Sequence, residues 1–345
     1  SDSSTEPSLL LEPQSTNLIT YSEDFNQSYW NKGGSSVVSG FISPDGTSNA
    51  FKLVENTATT THQIFRAFSY LNAKYSLSVF LKADERNWIK VNLYDGTSSV
   101  YTYFDLTNGA VGQELGASGK IENYGNGWYK CSMSTTSVVS LGSGNISFRL
   151  AEFDGGTGYI GDGTSGIYIF GAQLEQNSYA TSYIPTSGST ATRLGETANN
   201  AGGAGVFNSE EGVLYAEISA FDNGYYNFWS LSDLSNKEIA LGVKDGLLAS
   251  TLYDGTTFLI NNSAPLLDGN NKAAIKWVSG TSADVWLNGL KVYTYTGTIP
   301  TFVANDLITL RQGDRQGNFH FYGKTKNIQV FNYALTDEEL QTLTT

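Results

Sequence analysis

The run NWIKVNLYDG, Asn87 to Gly96, alternates aliphatic residues with polar or aromatic ones at every step. In an extended strand successive side chains point to opposite faces, so Ile89, Val91 and Leu93 share one face and Trp88, Lys90, Asn92 and Tyr94 the other. Two further runs follow the same parity. ISFRLAEF hides Ile146, Phe148 and Leu150 and shows Arg149; VYTYFDL sets Tyr101 and Tyr103 opposite Thr102 and Phe104. With the aliphatic row inward, the outward set is Trp88, Lys90, Tyr94, Tyr101, Tyr103 and Arg149. This set suits sugars: aromatic faces stack on the apolar faces of pyranose rings, and Lys or Arg clamps a carboxylate or sulfate. The plainer expectation for the same rings is cover by a loop or an interface.

Catalysis is the rival class. Only two histidines exist, His62 and His320, one in each half of the chain, so no multi-His metal site forms within one half. No G-x-S-x-G elbow occurs, and no E-x-D-x-x-E strand presents a nucleophile and an acid together; Glu217 stands alone. THQIFR carries His62, Gln63 and Arg66 and is superficially similar to part of a polysaccharide-lyase site, but the rest of that pattern is missing. Cys131, in the alternating run YKCSMS, reads as a small buried apolar residue. The residues therefore favour binding without catalysis.

The elements that would position these side chains are strands. Across 345 residues, 40% are hydrophobic and 13% aromatic, enough to bury a core. Turn dipeptides recur at Asp45-Gly46, Asp95-Gly96, Asn108-Gly109, Asn126-Gly127, Asp245-Gly246, Asp254-Gly255 and Asn288-Gly289. Such pairs supply the positive φ angles of tight hairpins. KYSLSVFLKA sets Tyr75, Leu77, Val79 and Leu81 against Ser76, Ser78, Phe80 and Lys82. Many short period-two runs separated by turns predict an all-β protein of antiparallel sandwiches. One helix is predicted, at the end, where Thr336 and Glu339 in LTDEELQTLTT form a capping box. The Gly-, Ala- and Asn-rich stretch before Gly212 divides the chain into residues 1–193, a linker 194–211, and residues 212–345.

The formal net charge of −13 makes nucleic acid an unsuitable partner, because phosphate repels it. One cysteine excludes an internal disulfide framework. No run approaches the roughly 18 apolar residues of a membrane span, and Ser1–Pro13 lacks the pattern of a secretory signal.

Two sets of motifs go further. NLITYSEDFNQSYW, YSLSVFLKADERNWIKV, NGWYKCSMS and IFGAQLEQNSYATSYIPTSGSTATR resemble, in this order, a carbohydrate-binding-module-like jelly roll of phage virion and secreted bacterial proteins. GVLYAEISAF, DVWLNGLKVY and HFYGKTKNIQVFNYALTDEEL resemble the laminin-G/concanavalin A-like lectin fold found at the end of phage fibre and adhesin chains. The resemblance implies two tandem antiparallel β-sandwiches, the first closed by strands from Pro7–Trp30 and Ile167–Arg193. It implies recognition of a cell-surface or extracellular polysaccharide by a fibre or spike on the virion surface or in the extracellular space. A homo-oligomer would fit that role. The alternatives are a structural virion decoration, with Ser8–Pro13 pairing to another subunit, and an ancillary module of a glycan-degrading enzyme. The jelly-roll resemblance also implies a structural Ca²⁺ where first and last strands meet, with Glu23, Asp24, Gln173 and Glu175 as oxygen ligands. The loop EFDGGTGYIGDGTSG, with Asp154 and Asp162, is a second acidic candidate.

Overall fold

The computed structural model describes residues 7–203, 205–221 and 224–345; the expected domain start at residues 1–6 lies outside them. The described residues are all-β, with one helix at Asp337–Thr344, and the chain divides into two compact units. Residues 14–194 make one. The other combines the described residues up to Pro13 with those from Gly195 onward. The two expected antiparallel sandwiches are present, and the segment up to Pro13 belongs with the second of them.

In the inner unit two six-stranded sheets face each other. The first sheet runs Ala110–Leu115, Ser99–Asp105, Trp88–Tyr94, Gly142–Ala151, Gln63–Tyr70, Asn31–Gly33. The second runs Ala117–Gly125, Trp128–Thr135, Ser76–Ala83, Gly166–Glu175, Ala50–Glu55, Ser35–Phe41. The aliphatic rows meet between them: Ile89, Val91, Leu93, Ile146, Phe148, Leu150 and Phe104 from the first sheet pack with Leu77, Val79, Leu81, Ile167 and Ile169 from the second. Burying such rows is what holds strands together, each side chain contributing about 1.5–3 kcal/mol. The second sheet is also covered outside, where Phe80, Trp128 and Phe170 pack with Tyr183. Trp30 lies in the main core.

Ser15–Asn17 pairs with Ala191–Arg193, and Leu18 N–H donates to Leu174 O. The opening and closing segments of the unit thus meet from Ser15 onward. The apolar run before it does not belong here. Leu9–Leu11 pairs antiparallel with Gly323–Thr325 and Leu11 enters the other core. The expectation that this run founds the inner sandwich is corrected: it is the edge strand of a sheet in the other unit.

The outer unit stacks a six-stranded sheet, Leu9–Leu11, Gly323–Phe331, Glu211–Ala220, Asn271–Val278, Ser282–Leu287, Leu290–Tyr295, on a five-stranded one, Phe258–Pro265, Leu247–Tyr253, Glu238–Lys244, Asn227–Ser232, Thr309–Gln312. Leu214, Ala216, Ile218, Trp229, Leu241 and Trp277 fill the space between. The helix covers the far face of the six-stranded sheet, where Leu335 and Leu340 meet Val213, Tyr215 and Trp286. Its capping box forms: Thr336 Oγ1 accepts from Glu339 N, and the Glu339 carboxylate accepts from Thr336 N.

Candidate functional site

Cross-strand register decides which outward residues become neighbours. Lys90 lies directly opposite Tyr103 on one side and Arg149 on the other, and Arg149 lies opposite Gln63. The adjacent row is Tyr101, Asn92, Ser147 and Phe65. Tyr103, Lys90, Arg149 and Gln63 therefore form one continuous row across the first sheet of the inner unit, with Tyr101 beside it.

The side chains draw together further. Lys90 Nζ lies 3.6 Å from the centroid of the Tyr101 ring and 5.4 Å from that of Tyr103. Those two rings meet edge to face with centroids 5.6 Å apart. Arg149 Nε donates to Ser147 Oγ at 3.0 Å, and Ser147 Oγ accepts from Asn92 Nδ2 at 3.4 Å. The Asn92 side-chain oxygen is buried and has no hydrogen-bond partner. Among the described residues no carboxylate forms an ion pair with Lys90 or Arg149. The contrast within the unit is Arg86, which holds Glu55 through Nε at 2.9 Å and Nη2 at 2.6 Å.

A loop following Ala151 walls the site. Asp154 accepts the Gln113 N–H through both carboxylate oxygens, at 2.9 and 3.1 Å, and the Tyr103 hydroxyl is hydrogen-bonded to Thr157. Gly112 permits this closure, since a Cβ there would lie 2.7 Å from both Asp154 Oδ1 and Trp88 Cζ3. Burial pushes the Lys90 ammonium down to about 8, with the positive charge of Arg149 adding to the effect. Burial likewise holds the Arg149 guanidinium below its ordinary value and raises the Tyr103 phenol.

The sequence-derived platform is thus brought onto one face, but its chemistry changes. Tyr103 is buried, only 3% exposed, so it is a wall and offers no open face for stacking. The face of Tyr101 carries the Lys90 ammonium. Trp88 is half-buried against the loop, and Tyr94 stands at the sheet's end with its hydroxyl donating to Gly96 O. What the site presents is a pair of cations with unspent donors between aromatic walls. The wall loop itself escaped the sequence reading, which treated Asp154 only as a possible metal ligand.

The expected calcium ligands do not converge. Glu175 is fully buried and accepts from Ser15 Oγ at 2.5 Å, Thr181 Oγ1 at 2.5 Å, Thr181 N at 3.0 Å and Ser76 Oγ at 3.5 Å. Gln173 is spent on the backbone of Thr181, Ser182 and Ile184. Glu23 accepts from Tyr183 and Asn49, and Asp24 from Asn26 N and Gln27; both line an open cleft of about 450 Å³. Asp162 caps its own turn through Thr164 and Ser165, which pushes its carboxyl far down. Among the described residues no three His, Cys, Asp or Glu side chains come together around a metal position.

The lyase-like run also disperses. His62 is sealed from solvent, with Nδ1 2.6 Å from Gly34 O and Nε2 3.2 Å from Tyr159 O. Arg66 lies over the Tyr29 ring at 4.2 Å and donates to Tyr29 O. Cys131 is buried in the core, and burial pushes its thiol well up. In the outer unit a cleft of about 330 Å³, lined by Tyr226, Phe319, His320 and Tyr322 among others, was not foreseen from sequence.

No family model and no curated protein matches the chain. Among solved structures it is similar to domains LG4-5 of the mouse laminin alpha1 chain, at 10% identity over 88% of this chain and 95% of that one, with a TM-score of 0.27. No helix in the described residues is long and apolar enough to cross a membrane.

Proposed function

We propose that the chain is a non-catalytic carbohydrate-binding and adhesion protein that acts at a cell-surface or extracellular polysaccharide. The observation that carries this reading is the Lys90–Arg149 pair: two half-buried cations, side by side on an outward sheet face, with donors that no group among the described residues takes up. Burying such donors costs stability, and a ligand rich in oxygen acceptors recovers it. The burial of His62 and Cys131 supports a binding role, because neither group can reach a substrate from where it lies. The motif resemblance to phage fibre and spike proteins favours host-surface recognition from a virion. Shallow sites of this kind bind weakly one at a time, so several copies acting together would supply the avidity.

The test is a polysaccharide array probed with the whole chain and with the Tyr101→Ala/Arg149→Ala double variant. Signal from the wild type and its loss in the variant, with circular dichroism unchanged, is the expected result. Equal signal from both would remove this face from the binding reaction.

A further inference from the structure

The ligand class follows from charge. Resting on the glycan-binding reading above, we infer that the Lys90–Arg149 site selects an acidic sugar, one carrying a carboxylate or a sulfate ester, over its neutral counterpart.

The first ground is geometric. Lys90 and Arg149 occupy directly paired positions on neighbouring strands, where two like charges oppose each other unless an anion sits between them. Among the described residues Lys90 forms no hydrogen bond or ion pair, and its ammonium lies over the rings of Tyr101 and Tyr103. Arg149 spends Nε on Ser147 Oγ, which fixes the guanidinium plane and leaves its two terminal nitrogens for an outside acceptor. A planar guanidinium beside a point-like ammonium is the donor set that grips a carboxylate or sulfate.

The second ground is what the protein withholds. With 33 acidic residues in the sequence, a counter-ion for these cations is the easiest thing to supply. The acid of the wall loop, Asp154, is turned onto the Gln113 N–H. The groups facing Lys90 are then Arg149 from one strand, Tyr101 and Tyr103 from the other, and Asp154 behind Tyr103 in the wall loop; Trp88 and Asn92 flank it on its own strand, with Tyr94 beyond Asn92. The site is cationic within an acidic protein. An approaching polyanion meets repulsion over most of the surface and attraction here, which sharpens selection of one position. The Lys90 ammonium is depressed first by burial and then by the charge of Arg149, and an anion seated between the two cations would oppose both.

The experiment titrates the whole chain with matched polymers. Polygalacturonate is compared with its carboxyl-reduced form, and a sulfated galactan with its desulfated form, each by isothermal calorimetry at pH 7. The wild type is expected to bind an acidic member at least about tenfold more tightly than its neutral partner, the worth of one charge-assisted contact. Preference within the first pair identifies a carboxylate and within the second a sulfate. Lys90→Gln and Arg149→Gln should each abolish the preference, while Lys120→Gln, at an exposed lysine paired with Glu122, should keep it. Should either Gln variant fold poorly, the wild type alone decides: its preference must shrink as pH rises through 8. Equal binding of acidic and neutral members overturns the acidic selection and leaves glycan binding standing. No binding of any of the four polymers overturns both.

Discussion

Leu10 is paired with Lys324, so the first described strand lies beside the last strand of the chain. The outer sandwich is therefore built from both ends of the sequence and completes only after the inner one has been traversed. Leu11, 3% exposed, points into its core.

Leu11→Ala should destabilise the outer unit by about 2–4 kcal/mol, the cost of emptying a buried leucine site. Hydrogen exchange is the measurement. Protection should fall in Gly323–Phe331 and Glu211–Ala220 and stay unchanged in Trp88–Tyr94. Loss of protection in Trp88–Tyr94 instead would show that the strand serves the inner sandwich.

Lys90 should cost stability at neutral pH. Its folded value of about 8 lies below the roughly 10.4 of an unfolded lysine, so the folded state binds the proton less well. The penalty is full below pH 8 and fades as pH rises to the unfolded value. Lys90→Met, similar in length and uncharged, should raise the melting temperature at pH 7 and lose acidic-glycan binding. The stability gap between the two should close between pH 8 and pH 10.5. A variant less stable than the wild type at pH 7 would contradict the desolvation argument.

Arg86 secures a buried carboxylate. Burial pushes the Glu55 carboxyl up, but hydrogen bonds from Arg86, Tyr159 and the Asp162 N–H outweigh it and the net shift is downward. A lowered folded value means stabilisation that is complete above the unfolded carboxylate range and lost as pH falls through the folded one. Arg86→Ala should cost about 3–5 kcal/mol at pH 7 by leaving Glu55 charged and unpaired. Urea unfolding should show the deficit narrowing in acid, where Glu55 becomes neutral. A constant deficit down to pH 3 would mean that packing, rather than charge, is lost.

Glu175 should act through hydrogen bonds alone. Both carboxylate oxygens are already taken by Ser15, Ser76 and Thr181. Glu175→Ala orphans those donors at about 1–3 kcal/mol for each one left buried and unmet, and the melting temperature should fall. A chelator should leave the wild-type melt unmoved. A drop with chelator equal to that of the variant would point to a bound cation at this carboxylate.

Much of the fold was legible in the residues. The inward rows Leu77–Val79–Leu81 and Ile89–Val91–Leu93 follow from the period of an extended chain, which backbone stereochemistry fixes locally. Hairpins at Asn126-Gly127, Asp245-Gly246 and Asn288-Gly289 have both residues at positive φ, as their types require. Thr336 and Glu339 announced the helix start, because a capping box is complete within four residues.

The rest needed the third dimension. Parity says which face a side chain takes but not what lies above it. It could not show that Phe80 is covered by Tyr183, or that Tyr103 is buried where Thr157 holds its hydroxyl. Register between strands set Lys90 against Arg149 and Tyr103, and a slip of one residue would have turned the whole row inward. Leu9–Leu11 reads as a strand in any context, yet its partner lies at the far end of the chain. Local composition determined the elements; only the tertiary structure decided their neighbours, because pairing depends on residues that the sequence holds far apart.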